Sequence, residues 1–286
     1  MHWLTNRFTI DLAWPRVMGI VNVTPDSFSD GGCFATSAAA IAHCERLLEQ
    51  GADLLDIGGE STRPGAVTPD LEQESARVLP VLRHALTLGV PVSVDTSRPE
   101  LMRAALDLGA DIVNDVRALQ RPGALQVLAA YPRAGICLMH MRGEPQTMQQ
   151  APAYDDVVAE VAEFLAARLA AACAHGIAAE RVVLDPGIGF GKTAPQNLEL
   201  LRRQHELLVP GRPLLVGWSR KSTLGTLTGR ATDERLAASV AAALAAVQRG
   251  ASIVRVHDVA ATVDALRVWQ AAGLVVGGQS SIRENT

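Results

Sequence analysis

Residues 182–192 read VVLDPGIGFGK: a short apolar run that breaks off at Asp185 and opens into a Gly-rich loop. A strand with one face in water alternates apolar and polar residues. A run that is apolar throughout suits a strand covered on both faces, as in a parallel sheet. Seven more runs have this form: MGIVN to Asn22, LLDIGG with Asp56, PVSVD to Asp95, DIVND to Asn114 and Asp115, ICLMH to His140, PLLVG to Gly217, and SIVRVH with Arg255 and His257. Helical patterns fill the gaps, at residues 37–50, 97–108, 155–175, 233–249 and 258–272, each followed by a glycine at 51, 109, 176, 250 or 273. Residues 97–100 (SRPE) have the spacing of a capping box. Strand and helix in alternation predict a parallel sheet. Polar residues gathered at the C-terminal ends of eight such strands predict an α/β chain of the (β/α)8 TIM-barrel class, with its chemistry on that face.

The 286 residues suit one such domain. The expected division is an N-terminal extension (1–16) with a short strand or plug, a barrel (17–275), and a polar tail (276–286). Apolar residues make up 48% of the chain and the net charge is −4. Nothing global attracts nucleic acid or an anionic membrane, so an anionic substrate needs local cations. The four cysteines show no C-x-x-C spacing, which argues against a disulfide framework or zinc site and for a reduced, cytoplasmic setting. The N-terminus does not read as a signal peptide. The uncharged run 236–248 is too short to span a bilayer.

The loop after Asp185 fails as a phosphate-binding motif, because Pro186 stands where the first Walker glycine belongs. A carboxylate ending a Val-Leu strand is costly unless something pairs with it, so Asp185 itself is the signal. GWSRKS, from Gly217 through Ser219 to Lys221, places cations after the seventh strand, where many barrels hold phosphates. Arg255 and His257 lie two apart on one strand and face the same side, poised to clamp an oxyanion; a structural ion pair is the alternative for Arg255. The long loop after Asn22 (VTPDSFSDGG) offers hard oxygens suited to Mg²⁺. The loop GGESTRPG carries Thr62, Arg63 and Pro64. Asp95, Asn114 and Asp185 can read a heterocycle with alternating donors and acceptors. Phe28 and Phe190 sit in mouth loops where an aromatic can cover a flat substrate, and Met139 ends a strand as core filling or a ligand contact.

MGIVNVTPDSFSDGG, DIGGESTRPGA, DPGIGFGK, VGWSRKS and RVHDV, in that order along the chain, resemble the dihydropteroate synthase family of folate biosynthesis. The resemblance implies a transferase that condenses a 7,8-dihydropterin methyl diphosphate with 4-aminobenzoate, releasing pyrophosphate. It implies Mg²⁺ as cofactor, sulfonamides as inhibitors and a homodimer. Carried over position by position, Asn22 would ligate Mg²⁺, while Arg255 and His257, with Arg63, would face the diphosphate. Asp95, Asn114, Asp185 and Lys221 would hold the pterin. Thr62, Pro64, Phe190 and Ser219 would line the aminobenzoate pocket, with Phe28, Gly217 and Met139 bordering the substrates. A corrinoid-linked pterin methyltransferase is the closest rival, but it needs no diphosphate clamp. A catalytically dead barrel that binds a pterin or a partner protein is a second.

Overall fold

The computed structural model of the chain describes residues 1–24, 37–61, 68–144, 147–148, 152–208 and 211–274. A two-stranded antiparallel hairpin, β1 (His2–Leu4) and β2 (Thr9–Asp11), precedes eight parallel strands. These are β3 (Arg16–Asn22), β4 (Leu54–Gly58), β5 (Val92–Asp95), β6 (Ile112–Asp115), β7 (Gly135–Met139), β8 (Val182–Asp185), β9 (Leu214–Val216) and β10 (Ala251–Val256). They close in sequence order, with β10 bonded to β3. The eight apolar runs are therefore the eight barrel strands.

The outer helices are α1 (Ser37–Glu49), α2 (Leu71–Ala85), α3 (Pro99–Leu108), α4 (Ala124–Ala130), α5 (Val157–Ala174), α6 (Ala194–Arg202), α7 (Ser222–Thr228), α8 (Leu236–Gln248) and α9 (Val259–Ala271). The one expected over 233–249 is shorter, because residues 232–234 form a separate 3-10 turn. The capping box expected at residues 97–100 is absent. Arg98 is the α3 N-cap without a side-chain bond, and the Ser97 hydroxyl donates instead to Asp115 Oδ1 at 2.5 Å. Buried Asp115 outcompetes the helix end for that donor, since an unpaired buried carboxylate costs more than an exposed helix N–H. A capping box does form where the sequence reading had not placed one, between Asp70 and Gln73 of α2.

Two apolar layers hold the fold. The larger lies between strands and helices. The smaller fills the barrel interior, where Met18, Leu54, Ile112, Val183 and Ile253 meet Trp3, Ile10 and Leu12 of the N-terminal segment. Trp3 is fully buried and donates from Nε1 to Arg181 O at 2.8 Å. Arg7 fastens the same segment to buried Asp111 through Nε at 3.0 Å and Nη2 at 2.7 Å. The hairpin thus closes the barrel floor and leaves the opposite end for chemistry.

Candidate active site at the C-terminal mouth of the barrel

Strand register decides which polar residues meet. Asn22 stands beside Gly58, Gly58 beside Asp95, and Asp95 beside Asn114. Met139 stands beside Asp185. Arg255 rises from β10 across the barrel: Nε donates to Asp56 Oδ2 at 2.6 Å and Nη2 to Asp95 Oδ2 at 2.8 Å. Asn114 Nδ2 donates to the same Asp56 oxygen at 3.0 Å. The other oxygen, Asp56 Oδ1, is buried with no hydrogen-bond partner among the described residues. Such an orphan costs on the order of 1–3 kcal/mol unless a ligand donates to it.

Asp56 is the site residue the sequence reading left out, although a carboxylate inside LLDIG was its signal. Arg255 forms the ion pair that the sequence left as its alternative: two carboxylates hold two of its donors. Burial opposes its charge, but Asp56 and Asp95 outweigh burial and raise its pKa. Burial, then repulsion from Asp56, pushes Asp95 upward. His257, unlike Arg255, is not a cation. Burial, then the charges of Arg220 and Arg255, drives it down to about 3, so it is neutral near pH 7. Its Nδ1 lies 3.0 Å from Ser219 Oγ, which also accepts from the His257 backbone N–H at 3.1 Å. An anion at this edge meets a neutral imidazole.

Across the cup, Asp185 is 6% exposed and is pushed up to about 6, mainly by burial. Its Oδ1 accepts from Gly187 N–H at 2.7 Å. Lys221 falls to about 8 through burial, then repulsion from Arg255. Its ammonium lies 4.1 Å from the Phe190 ring centroid. The turn presenting Lys221 is braced: Arg220 takes φ 59° and pairs with Asp258 at 2.7 Å, and its N–H donates to Ser239 Oγ. A non-glycine residue in the left-handed region costs about 1–3 kcal/mol, so these bonds hold a strained loop in place. Among the described residues, a Cβ at Gly217 would meet only Arg255 O, at 3.9 Å. The chain's own packing does not demand glycine there, which is consistent with space kept for a ligand.

Gly187 is constrained more tightly. Its φ is +65°, and a Cβ would fall 1.9 Å from His140 O. The loop after Asp185 therefore lies against the β7 segment because glycine permits that approach. Lys192 ends the loop and is 2% exposed. Phe28, Thr62, Arg63 and Pro64 lie outside the described residues. Asn22 is half-buried at the end of β3.

Among the described residues, no group of three or more His, Cys, Asp or Glu side chains is placed to hold a metal. Mg²⁺ does not require such a cage, since it keeps several waters and takes few protein oxygens alongside substrate phosphates. One carboxamide at the mouth fits that pattern.

The model of a pterin binding enzyme matches residues 18–257. A Neisseria meningitidis serogroup B dihydropteroate synthase is 57% identical over 278 residues, covering 95% of this chain and 98% of that protein. The structure of a Xanthomonas albilineans dihydropteroate synthase with 4-aminobenzoic acid superposes with a TM-score of 0.87 at 55% identity, covering 94% of this chain and 96% of that one. A Yersinia pestis dihydropteroate synthase with a sulfonamide drug gives a TM-score of 0.91 at 45% identity, covering 96% and 99%. Together with the cup of Asp56, Asn114, Asp185 and Lys221, these matches place the chain in the pterin-binding enzyme family, among its dihydropteroate synthases.

Proposed function

We propose that the barrel mouth condenses a (7,8-dihydropterin-6-yl)methyl diphosphate with 4-aminobenzoate, giving 7,8-dihydropteroate and pyrophosphate. The carrying observation is the buried, unpartnered Asp56 Oδ1 beside Asn114 and Arg255, an acceptor inside a cup of donors and acceptors. A flat heterocycle with adjacent N–H donors supplies what that oxygen lacks. Asp185 would take further ring N–H groups, and Lys221 would donate to a ring acceptor.

The bond to break joins the pterin methylene to the diphosphate oxygen; the bond to form joins that carbon to the aminobenzoate nitrogen. The aromatic amine is neutral near pH 7, so no strong base is needed before attack. We infer a loose, SN1-like substitution in which the departing diphosphate leaves a methylene cation conjugated with the ring. Asp56, Asp95 and Asp185 surround that spreading positive charge, so preorganised electrostatics and positioning carry most of the catalysis. Once the carbon–nitrogen bond forms, the extra proton on nitrogen passes to the released pyrophosphate or to water. When bound, Mg²⁺ would neutralise charge on the leaving diphosphate. Asn22 is the residue we assign to hold it, with Arg63, Arg255 and neutral His257 donating to the phosphate oxygens. Thr62, Pro64, Phe190 and Ser219 would bound the aminobenzoate, Phe28, Gly217 and Met139 would border the substrates, and sulfonamides would compete in the same pocket.

Stoichiometric pyrophosphate and dihydropteroate, formed only with both substrates, tests the reaction; pterin binding without turnover would refute it. A large carbon isotope effect at the methylene would refute the loose substitution. The corrinoid-linked alternative is not favoured.

We further infer a cytoplasmic homodimer. Among the described residues no helix is long and apolar enough to cross a membrane. Leu236 of α8 and Val268 of α9 are exposed, 47% and 71%, and a second copy packed on these helices would cover them. Light scattering that returns a monomer mass would refute the dimer.

A further inference from the structure

Lys192 is buried in a cluster that the reaction described above does not use. Its Nζ lies 2.9 Å from His140 Nδ1, 2.9 Å from Gly187 O and 3.0 Å from Phe190 O. A second buried polar side chain continues the network. Asn197, 1% exposed on α6, accepts from Gly189 N–H at 2.8 Å and donates to Thr223 Oγ1 on α7 at 2.9 Å. Thr223 lies two residues beyond Lys221. Tyr154 closes the outer side by donating to Gly191 O at 2.9 Å. Burial holds His140 neutral, and with its proton on Nε2 the Nδ1 accepts from Lys192 Nζ.

The loop has glycines at 187, 189 and 191, all with positive φ. Left alone, such a segment has wide backbone freedom, and fixing it is entropically costly. The Lys192 amino group, which burial lowers to about 7, bonds two carbonyls of the loop and one ring beneath it and so removes that freedom.

We propose that Lys192 is a positioning residue that pins residues 187–190 through Gly187 O, Phe190 O and His140, and so holds Phe190 against Lys221, with Asn197 tying the same loop to α7. This rests on the reading that Phe190 borders the aminobenzoate. A GxGxGK run invites assignment of its lysine to a phosphate, and here the lysine serves the opposite substrate.

The test uses the full-length enzyme and Lys192→Met, with Asn197→Ala as the second variant should the first fail to fold. Expected is a rise of about tenfold or more in KM for 4-aminobenzoate and in sulfonamide Kd, as for a displaced binding group. Calorimetric Kd for pterin diphosphate should rise less than the aminobenzoate KM, since Asp56, Asn114 and Arg255 lie outside the pin while Asp185 and Lys221 touch the pinned loop at one contact each. A uniform loss of fold would not produce that split. Equal weakening for both substrates, or no change for either, overturns the proposal. Phe190→Ala is the companion measurement. If it leaves the aminobenzoate KM unchanged, the assignment of Phe190 fails; if it raises that KM while Lys192→Met and Asn197→Ala do not, the pin alone fails.

Discussion

Replacing Asp185 by Asn should make the protein more stable and nearly inactive. In the folded chain Asp185 is 6% exposed, and its pKa rises from 3.8 to about 6, burial being the main cause. A shift of about 2 units at about 1.4 kcal/mol each means that ionised Asp185 opposes folding by ~3 kcal/mol. The sign follows from proton counting. Between pH 3.8 and about 6 the folded state holds a proton that the unfolded state has lost, so stability falls as pH rises through that window. The penalty is complete above about pH 6 and absent below 3.8. Asn keeps the acceptor for Gly187 N–H but carries no charge. Asp185→Asn should therefore raise Tm at pH 7.5 by about 6 °C, given roughly 2 °C per kcal/mol for a chain of this size. The gap should close as the scan is repeated toward pH 4. At pH 7.5, kcat/KM should fall by about 10²-fold or more, because the charge that stabilises the developing pterin cation is gone. An unchanged or lowered Tm at pH 7.5, or a gap that does not depend on pH, would refute the assignment of a desolvated carboxylate to this position.

Lys221→Ala should cost about 10²-fold or more in kcat/KM, and near-normal turnover would remove Lys221 from the site. Affinity for a pterin lacking the diphosphate should be greatest between about pH 6 and about 8, weakening below as Asp185 gains a proton and above as Lys221 loses one, and calorimetry across that range checks both edges. Trp3→Ala should destabilise by ~3–5 kcal/mol, because it empties the barrel floor and orphans Arg181 O; denaturant titration reads it. Pro64→Ser should weaken sulfonamide inhibition, and an unchanged inhibition constant would exclude Pro64 from the aminobenzoate pocket.

The sequence alone determined the barrel and its working end. Runs such as VVLD and IVND are buried on both faces, so they carry no polar residue except where the strand leaves the core. Burial imposes that rule locally, and it can be read one strand at a time. The order of the motifs then gave the family. The sequence also marked Asp95, Asn114, Asp185 and Lys221, because each is a charge or amide where an apolar residue would otherwise stand.

Partnership was decided by tertiary structure. Arg255 and Asp56 are 199 positions apart, and only closure of β10 onto β3 brings the guanidinium over the carboxylate. That contact ties Arg255 to Asp56 in the cup, and burial beside it makes His257 neutral. Ser97 and Lys192 follow the same rule. Spacing assigned the first to a helix cap and gave the second no partner, but Asp115 and His140, distant in sequence, bond them. Periodicity reports which side of an element faces the core. Electrostatics and hydrogen bonding depend on distances across the core, which exist only once the chain has closed.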